Sequence, residues 1–204
     1  MNFKNSLLKM TRSKENYYAS LVVDASTATV FFFYALKLST DAWATLSLFL
    51  MGVLFFTFLE YAVHAWLFHL KHPFKIFIEG HAHHHQDPKN YDAMPFFMSA
   101  VIASLFAGIL SLVMTWPDAL AVVGGLTLGY FNYGIMHHLM HRRTFKNSYL
   151  HYLQLFHAIH HKNPKVNNGV TTDIWDRVFG TYQRWCDDKP LEEEYSQGHS
   201  LHVA

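Results

Sequence analysis

The chain has 204 residues, of which 51% are hydrophobic, 17% aromatic and only 15% charged, with a formal net charge of +1. That composition fits one domain, taken as 1–204, with little solvated surface, and it excludes intrinsic disorder. Nucleic acid is not an expected partner, since there is no excess of positive charge to meet phosphate. Sixteen histidines equal the whole Lys plus Arg count, and most fall in four short clusters. The one cysteine, Cys186, excludes an internal disulfide and a thiolate cluster, so any metal must be held by nitrogen or oxygen. The basic, polar N-terminus MNFKNSLLKMTRSKENYY lacks the apolar core of a cleavable signal, and the mature chain is expected to start there.

Four stretches have the length and apolarity to cross a bilayer, which takes about 20 mostly apolar residues. They lie near 18–38, 42–63, 93–116 and 119–136. Short connections at Ser39 to Asp41 and at Trp116, Pro117 and Asp118 make them two transmembrane hairpins. Asp24 interrupts the first stretch, and the last is rich in glycine (Gly124, Gly125, Gly129, Gly134), which suits close helix packing. Of the sixteen Lys and Arg residues only Lys37 falls at a hairpin turn. The other fifteen lie in the N-terminal arm, the 64–92 connection or the tail after 140, and four crossings put all of these on one side. Positive charge collects on the cytoplasmic side, so that face and both termini are expected there, in a bacterial inner membrane or the endoplasmic reticulum. The expected fold is all-α: four membrane helices in two hairpins, with a cytoplasmic helical cap.

The histidines follow the hairpins. The second stretch runs into HAWLFH (His64, His69) and then GHAHHHQDP (His81, His84, His85); the fourth runs into HHLMH (His137, His141) and then HAIHH (His157, His160, His161). In a helix at about 100° per residue, His137 and His141 point within roughly 40° of each other, and the triplet His157, His160, His161 makes one stripe. His64 and His69 diverge by about 140° on an ideal helix, so they are expected to suit one metal poorly and to serve two different ions unless the helix ends between them. Ten nitrogens fill most positions around two first-row metals, which implies a dinuclear site. The other six histidines, His72, His83, His138, His151, His199 and His202, lie outside the pattern and are expected at the surface or behind the ligands.

HAWLFH, HAHHH, HHLMH and HAIHH, followed by NNGVTTDIWDRVFGTY, resemble the fatty acid hydroxylase and sterol desaturase superfamily of membrane di-iron enzymes, over about residues 55–185. Within it the chain is most similar to fatty acid 2-hydroxylases. The resemblance implies that the ten histidines of the four motifs are metal ligands, that the cofactor is two iron ions, which zinc can replace in purified protein, and that O2 is the co-substrate. It implies a lipid substrate whose acyl chain is hydroxylated. Ala65 stands where family members often carry a basic residue, which removes one contact to the substrate head or the membrane surface. No segment fits a fused cytochrome b5 domain, so the expected electron source is a separate cytochrome b5- or ferredoxin-like protein with its reductase.

Hydroxylating an unactivated C–H bond requires an oxidant made from dioxygen at a redox metal, so no side-chain nucleophile is expected. Glu60, one turn before His64, and Asp173 and Asp176 are the candidates to accept hydrogen bonds from ligand imidazoles and fix their tautomers. Asn168 and Gly169 are expected only to shape a turn. Two other readings compete: a carotenoid or sterol hydroxylase or desaturase of the same superfamily, and, in a different class, a metal transporter. The scarcity of acidic and histidine residues within the crossings disfavours a pore.

Overall fold

The structure, a computed structural model, describes residues 9–69 and 75–184; His72, Cys186, His199 and His202 lie outside them. The described residues are helical with no β-strand. In chain order they form α1 (Lys14–Leu38), α2 (Ala42–Ala62) continuing into a π-helical turn (Val63–Phe68), α3 (Lys75–Gln86), α4 (Met98–Leu110), α5 (Trp116–Met140), α6 (Ser148–Lys162) and α7 (Ile174–Phe179). They divide into two compact units, one of residues 9–56 and 91–134, the other of residues 57–69, 75–90 and 135–184.

Local chemistry sets the helix ends of the first unit. Ser13 caps α1 by accepting from the Asn16 backbone N–H at 3.2 Å. Asp41 does the same for α2, its Oδ1 accepting from Trp43 N at 2.9 Å and Ala44 N at 3.0 Å. Pro117 occupies the first turn of α5, where its missing N–H costs nothing.

Among the described residues, three helices are long and apolar enough to cross a membrane: Lys14–Leu38, Ala42–Phe68 and Trp116–Met140. The crossing expected over 93–116 takes a different form, since only Met98–Leu110 is helical there. Thirteen residues at about 1.5 Å each make about 20 Å, less than the roughly 30 Å of hydrocarbon in a bilayer. Pro95 explains the late start, because a residue preceding proline is kept out of the helical region. The segment before α4 is instead tied to the start of α1: Asn16 Nδ2 donates to the Met94 carbonyl at 2.8 Å and Asn16 Oδ1 accepts from Phe96 N at 3.0 Å.

Ala35, Phe49, Ala103, Ala107, Leu120, Ala121 and Val123 form the core of this unit. So many small side chains let backbones approach, and glycine carries this furthest. A Cβ on Gly125 would lie 2.0 Å from the Phe49 carbonyl oxygen, and one on Gly52 would lie 2.2 Å from that of Val122. With no hydrophobic drive between helices in lipid, such backbone contact supplies the packing energy. The buried Asp24 is satisfied by a hydrogen bond from Ser99 on α4.

Gly125→Leu is expected to destabilise the protein by about 1–3 kcal/mol or more, because the neighbour is backbone and cannot yield. Gly108→Ala, which meets nothing within 4 Å, is expected to leave stability unchanged or slightly raised. Thermal melts in detergent check both; equal melting temperatures would contradict the α2–α5 packing.

Candidate metal centre

All ten candidate ligands belong to the second unit, which brings them together. They form two groups, His64, His69, His81, His85, His160 and His84, His137, His141, His157, His161, and within each group the five ligand atoms lie within 4.8 Å of one another. The groups adjoin, with the His85 and His161 rings stacked at 4.3 Å. His83, His138 and His151 belong to neither.

Helix geometry sorts the triplets. Relative to the first member, the residue at i+4 is turned by about +40° and the one at i+3 by about −60°. Accordingly His81 and His85 share one group while His84 serves the other, and His157 and His161 share one while His160 crosses over. Each half of the chain thus lends one imidazole to the other half's group.

His64 and His69 depart from the sequence expectation that they would serve different ions: they stand in the same group, with ring centroids 5.3 Å apart. The π-helical turn Val63–Phe68 is the reason. Its i→i+5 hydrogen bonds widen the turn, bringing residues five apart back to one face.

The donor set fits metal ions. In the first group Nε2 of His81 lies 3.0 Å from that of His64, 3.0 Å from that of His69 and 2.9 Å from that of His85, and His69 and His160 meet at 3.1 Å. In the second group His157 Nε2 lies 3.0 Å from that of His141 and 3.1 Å from that of His161. Metal–imidazole bonds of about 2.0–2.1 Å set at right angles would put neighbouring nitrogens about 2.9 Å apart. His64 Nδ1 donates to the Asn168 carbonyl at 2.5 Å and His160 Nδ1 to that of Val166 at 2.9 Å. With the proton on Nδ1, each Nε2 offers only a lone pair. Lone pairs converging at this distance repel unless a cation lies between them. The buried His84 Nε2 has no hydrogen-bond partner, as expected of a ligand atom.

The imidazoles are also held neutral, the form that binds metal. Burial, reinforced by neighbouring imidazoles, drives His84, His157 and His160 well below their ordinary value. Burial is the main cause at His85, lowered to about 4, and at His141, lowered to about 3.

The candidate carboxylates take positions one step further out than the sequence suggested. Glu60, buried, accepts from Val170 N at 2.5 Å, Thr171 N at 2.9 Å and Thr171 Oγ1 at 2.6 Å. Asp176 accepts from Asn168 N at 2.7 Å, Gly169 N at 2.8 Å and Thr181 Oγ1 at 2.6 Å. The two carboxylates clamp the loop whose Asn168 carbonyl orients His64. Asp173 accepts instead from Tyr152 Oη at 2.5 Å and pairs with Arg177 at 2.6 Å. Asn168, expected only to shape a turn, and Val166, which the sequence did not single out, supply the carbonyls that meet His64 and His160; backbone acceptors have no signature in side-chain identity. Gln154 fixes the other flank, its Nε2 donating to the carbonyls of Met140 at 2.7 Å and Arg143 at 2.5 Å, which anchors the end of α5 to α6.

Residues 49–181 match the family described as fatty acid hydroxylase. The chain belongs to the fatty acid hydroxylase family. Among its family relatives are the ceramide very long chain fatty acid hydroxylase scs7 of Schizosaccharomyces pombe, 34% identical over 67% of this chain and 42% of that protein, and the fatty acid 2-hydroxylase of Mus musculus, 32% identical over 67% and 39%. The dihydroceramide fatty acyl 2-hydroxylase FAH2 of Arabidopsis thaliana is 32% identical over 64% of this chain and 58% of its own length. This fatty acid hydroxylase family member therefore spans roughly half the length of these curated relatives. The structure of full-length scs7p, in which only the hydroxylase domain is visible, aligns over 90% of this chain and 72% of its own, with a TM-score of 0.76 and 27% identity.

Two outcomes follow from the site. Unfolded imidazoles take up protons near pH 6.5, whereas folded His85 does so only near 4 and His141 near 3. Between those values the unfolded chain binds more protons, so stability falls with falling pH. Melts of metal-free protein from pH 7.5 to 4 should show a steadily declining Tm, and a flat profile would contradict neutral burial. Asp176→Asn, which weakens the clamp on the Asn168 loop, should lower metal affinity by about 10–100-fold, measured by competition with a chelator; unchanged affinity would show that the loop does not orient His64.

Proposed function

We propose that this chain is an O2-dependent hydroxylase of lipid acyl chains, acting at carbon 2 like the enzymes its relatives are named for, with two iron ions as cofactor. The observation that carries the proposal is the pair of adjoining five-imidazole groups on a chain of this family. His64, His69, His81, His85 and His160 would hold one ion, and His84, His137, His141, His157 and His161 the other. Bound iron supplies the oxidising power toward an unactivated C–H bond, drawn from O2 and two electrons, that no side chain here has. The chain's own residues keep ten imidazoles neutral, fix His64 and His160 through the Asn168 and Val166 carbonyls, and exclude water by burying His64, His157 and His160 almost completely. Glu60, Asp176 and the Asp173–Arg177 pair act on the surrounding loop and helix, not on the reacting atoms.

The protein is an integral membrane protein, and the reading includes its topology. Four membrane helices form two hairpins, with the short α4 completing the second, and the histidine groups and both termini face the cytoplasm, where all basic residues but Lys37 would lie. Electrons come from a separate cytochrome b5- or ferredoxin-like donor and its reductase. Zinc found in purified protein would be a replacement for iron, since imidazole sites bind it well.

Anaerobic loading with ferrous iron, followed by O2, a reductant and candidate lipids, tests the proposal, with product position read by mass spectrometry. A 2-hydroxyacyl product is the expected result; oxygen gained only by carotenoids or sterols would overturn the substrate, and metal flux across vesicles without O2 consumption would overturn the enzyme. His160→Ala should abolish turnover and lower bound metal from about two ions towards one, read by elemental analysis. Full metal content in that variant would contradict the ligand set.

A further inference from the structure

The segment after the Asn168 loop carries an arrangement that the metal centre does not use. Helix α7 has two apolar faces. Trp175 and Phe179, four apart, turn toward the chain leaving α2: Trp175 meets Phe58 edge-on at 5.0 Å, and Phe179 stacks on Tyr61 at 5.1 Å and meets Trp66 at 5.6 Å. Ile174 and Val178, also four apart, point outward and are 56% and 63% exposed, and Trp66, which Phe179 meets, is exposed as well.

The residues that α7 packs on say what this outer face meets. Thr57, Phe58 and Tyr61 belong to the candidate span Ala42–Phe68, and they fall within the first 20 or so residues of it, about the number needed to cross the hydrocarbon. Trp66 follows at the level where tryptophan and tyrosine belts form. The polar groups of α7 suit the membrane boundary, where the Arg177 side chain, 53% exposed, extends to the headgroups while its stem lies on apolar surface. The Trp175 indole N–H donates to Thr57 Oγ1 at 2.9 Å. Arg177 pairs with Asp173 at 2.6 Å and lies 3.9 Å from the centroid of the Tyr182 ring, while Asp176 turns inward to the loop.

We propose that α7 is a membrane-seated helix whose Ile174 and Val178 rest in the acyl boundary of the bilayer, alongside the end of the span Ala42–Phe68. Trp175 and Phe179 seat it directly on Thr57, Phe58 and Tyr61 of that span, which is why lipid and not a second copy of the chain is the occupant. Because Asp176 on the same helix clamps the loop that orients His64, the bilayer contact and the metal centre share one rigid element. The proposal rests on reading Ala42–Phe68 as a membrane span.

Site-directed nitroxides test it in the full chain, with Cys186→Ser as background and phosphatidylcholine vesicles as the membrane. Labels are placed singly through Ile174→Cys, Val178→Cys, Leu54→Cys and Lys165→Cys, the third on the outer face of the span and the fourth on an exposed loop. Unchanged metal content verifies folding of each variant. Labels at 174, 178 and 54 should be several-fold more accessible to O2 than to a polar nickel chelate, relative to the label at 165. Access of the nickel chelate to 174 and 178, with 54 still in lipid, would overturn the α7 proposal alone. Exclusion of both reagents there would mean that protein covers the helix, and would equally overturn it. Nickel access at 54 would overturn the span itself, and α7 with it.

Discussion

Ten imidazoles within two touching groups are a problem in electrostatics before they are a catalytic asset. Protonated, they would drive each other apart; neutral and without a cation, their lone pairs would still face one another across about 3 Å. The fold resolves the first difficulty by burial, which makes protonation unfavourable, and at His64 and His160 it prepares the second for a metal by pinning the Nδ1 proton outward onto backbone carbonyls. Three features of the second unit serve that arrangement: the π turn that rotates His69 back toward His64, the crossing of His84 and His160 between groups, and the loop held from two sides by Glu60 and Asp176.

That loop is where polar satisfaction and function meet. Val166 and Asn168 lie in irregular backbone, which can aim carbonyls at imidazoles because it is not committed to a helix. Irregular buried backbone leaves N–H groups that need acceptors, and the two carboxylates accept from four consecutive residues, Asn168 to Thr171. Asn167 takes the left-handed conformation at φ 55°, which asparagine tolerates, and its side chain donates to the Phe156 carbonyl. A Cβ on Gly169 would lie 2.0 Å from the Thr172 carbonyl oxygen, so the fold of this turn depends on glycine there.

The sequence made much of this legible, and its failures have physical causes. Helix periodicity and the four histidine motifs point to an all-α chain and to the ten residues that the fold brings together. The pairing of His64 with His69 was not readable, because ideal α geometry separates residues five apart and nothing in VHAWLF announces a wider turn. The stripe of each triplet was readable, but its division between two groups depends on what packs on either side. Glu60 and Asp176 were expected to accept from imidazoles, but in the fold they accept from the loop whose Asn168 carbonyl meets His64, partners that side-chain spacing does not announce. The extent of α4 was misjudged because the apolar run extends across Pro95, and the backbone stops where hydropathy does not.

The two units satisfy their buried backbone groups by opposite means. In the first, regular helices satisfy their own backbones and pack through Gly52 and Gly125, so stability depends on the absence of side chains at the closest approaches. In the second, side chains must do what regular structure cannot, and buried polar groups are numerous: His64, His157, His160, Asn167, Asn168, Glu60 and Asp176 are all nearly inaccessible. A network of that kind is rigid when complete and costly when one member is missing. Holding five imidazole nitrogens within 4.8 Å of one another in each group calls for such rigidity, whereas helices packing through small residues have no comparable need for it.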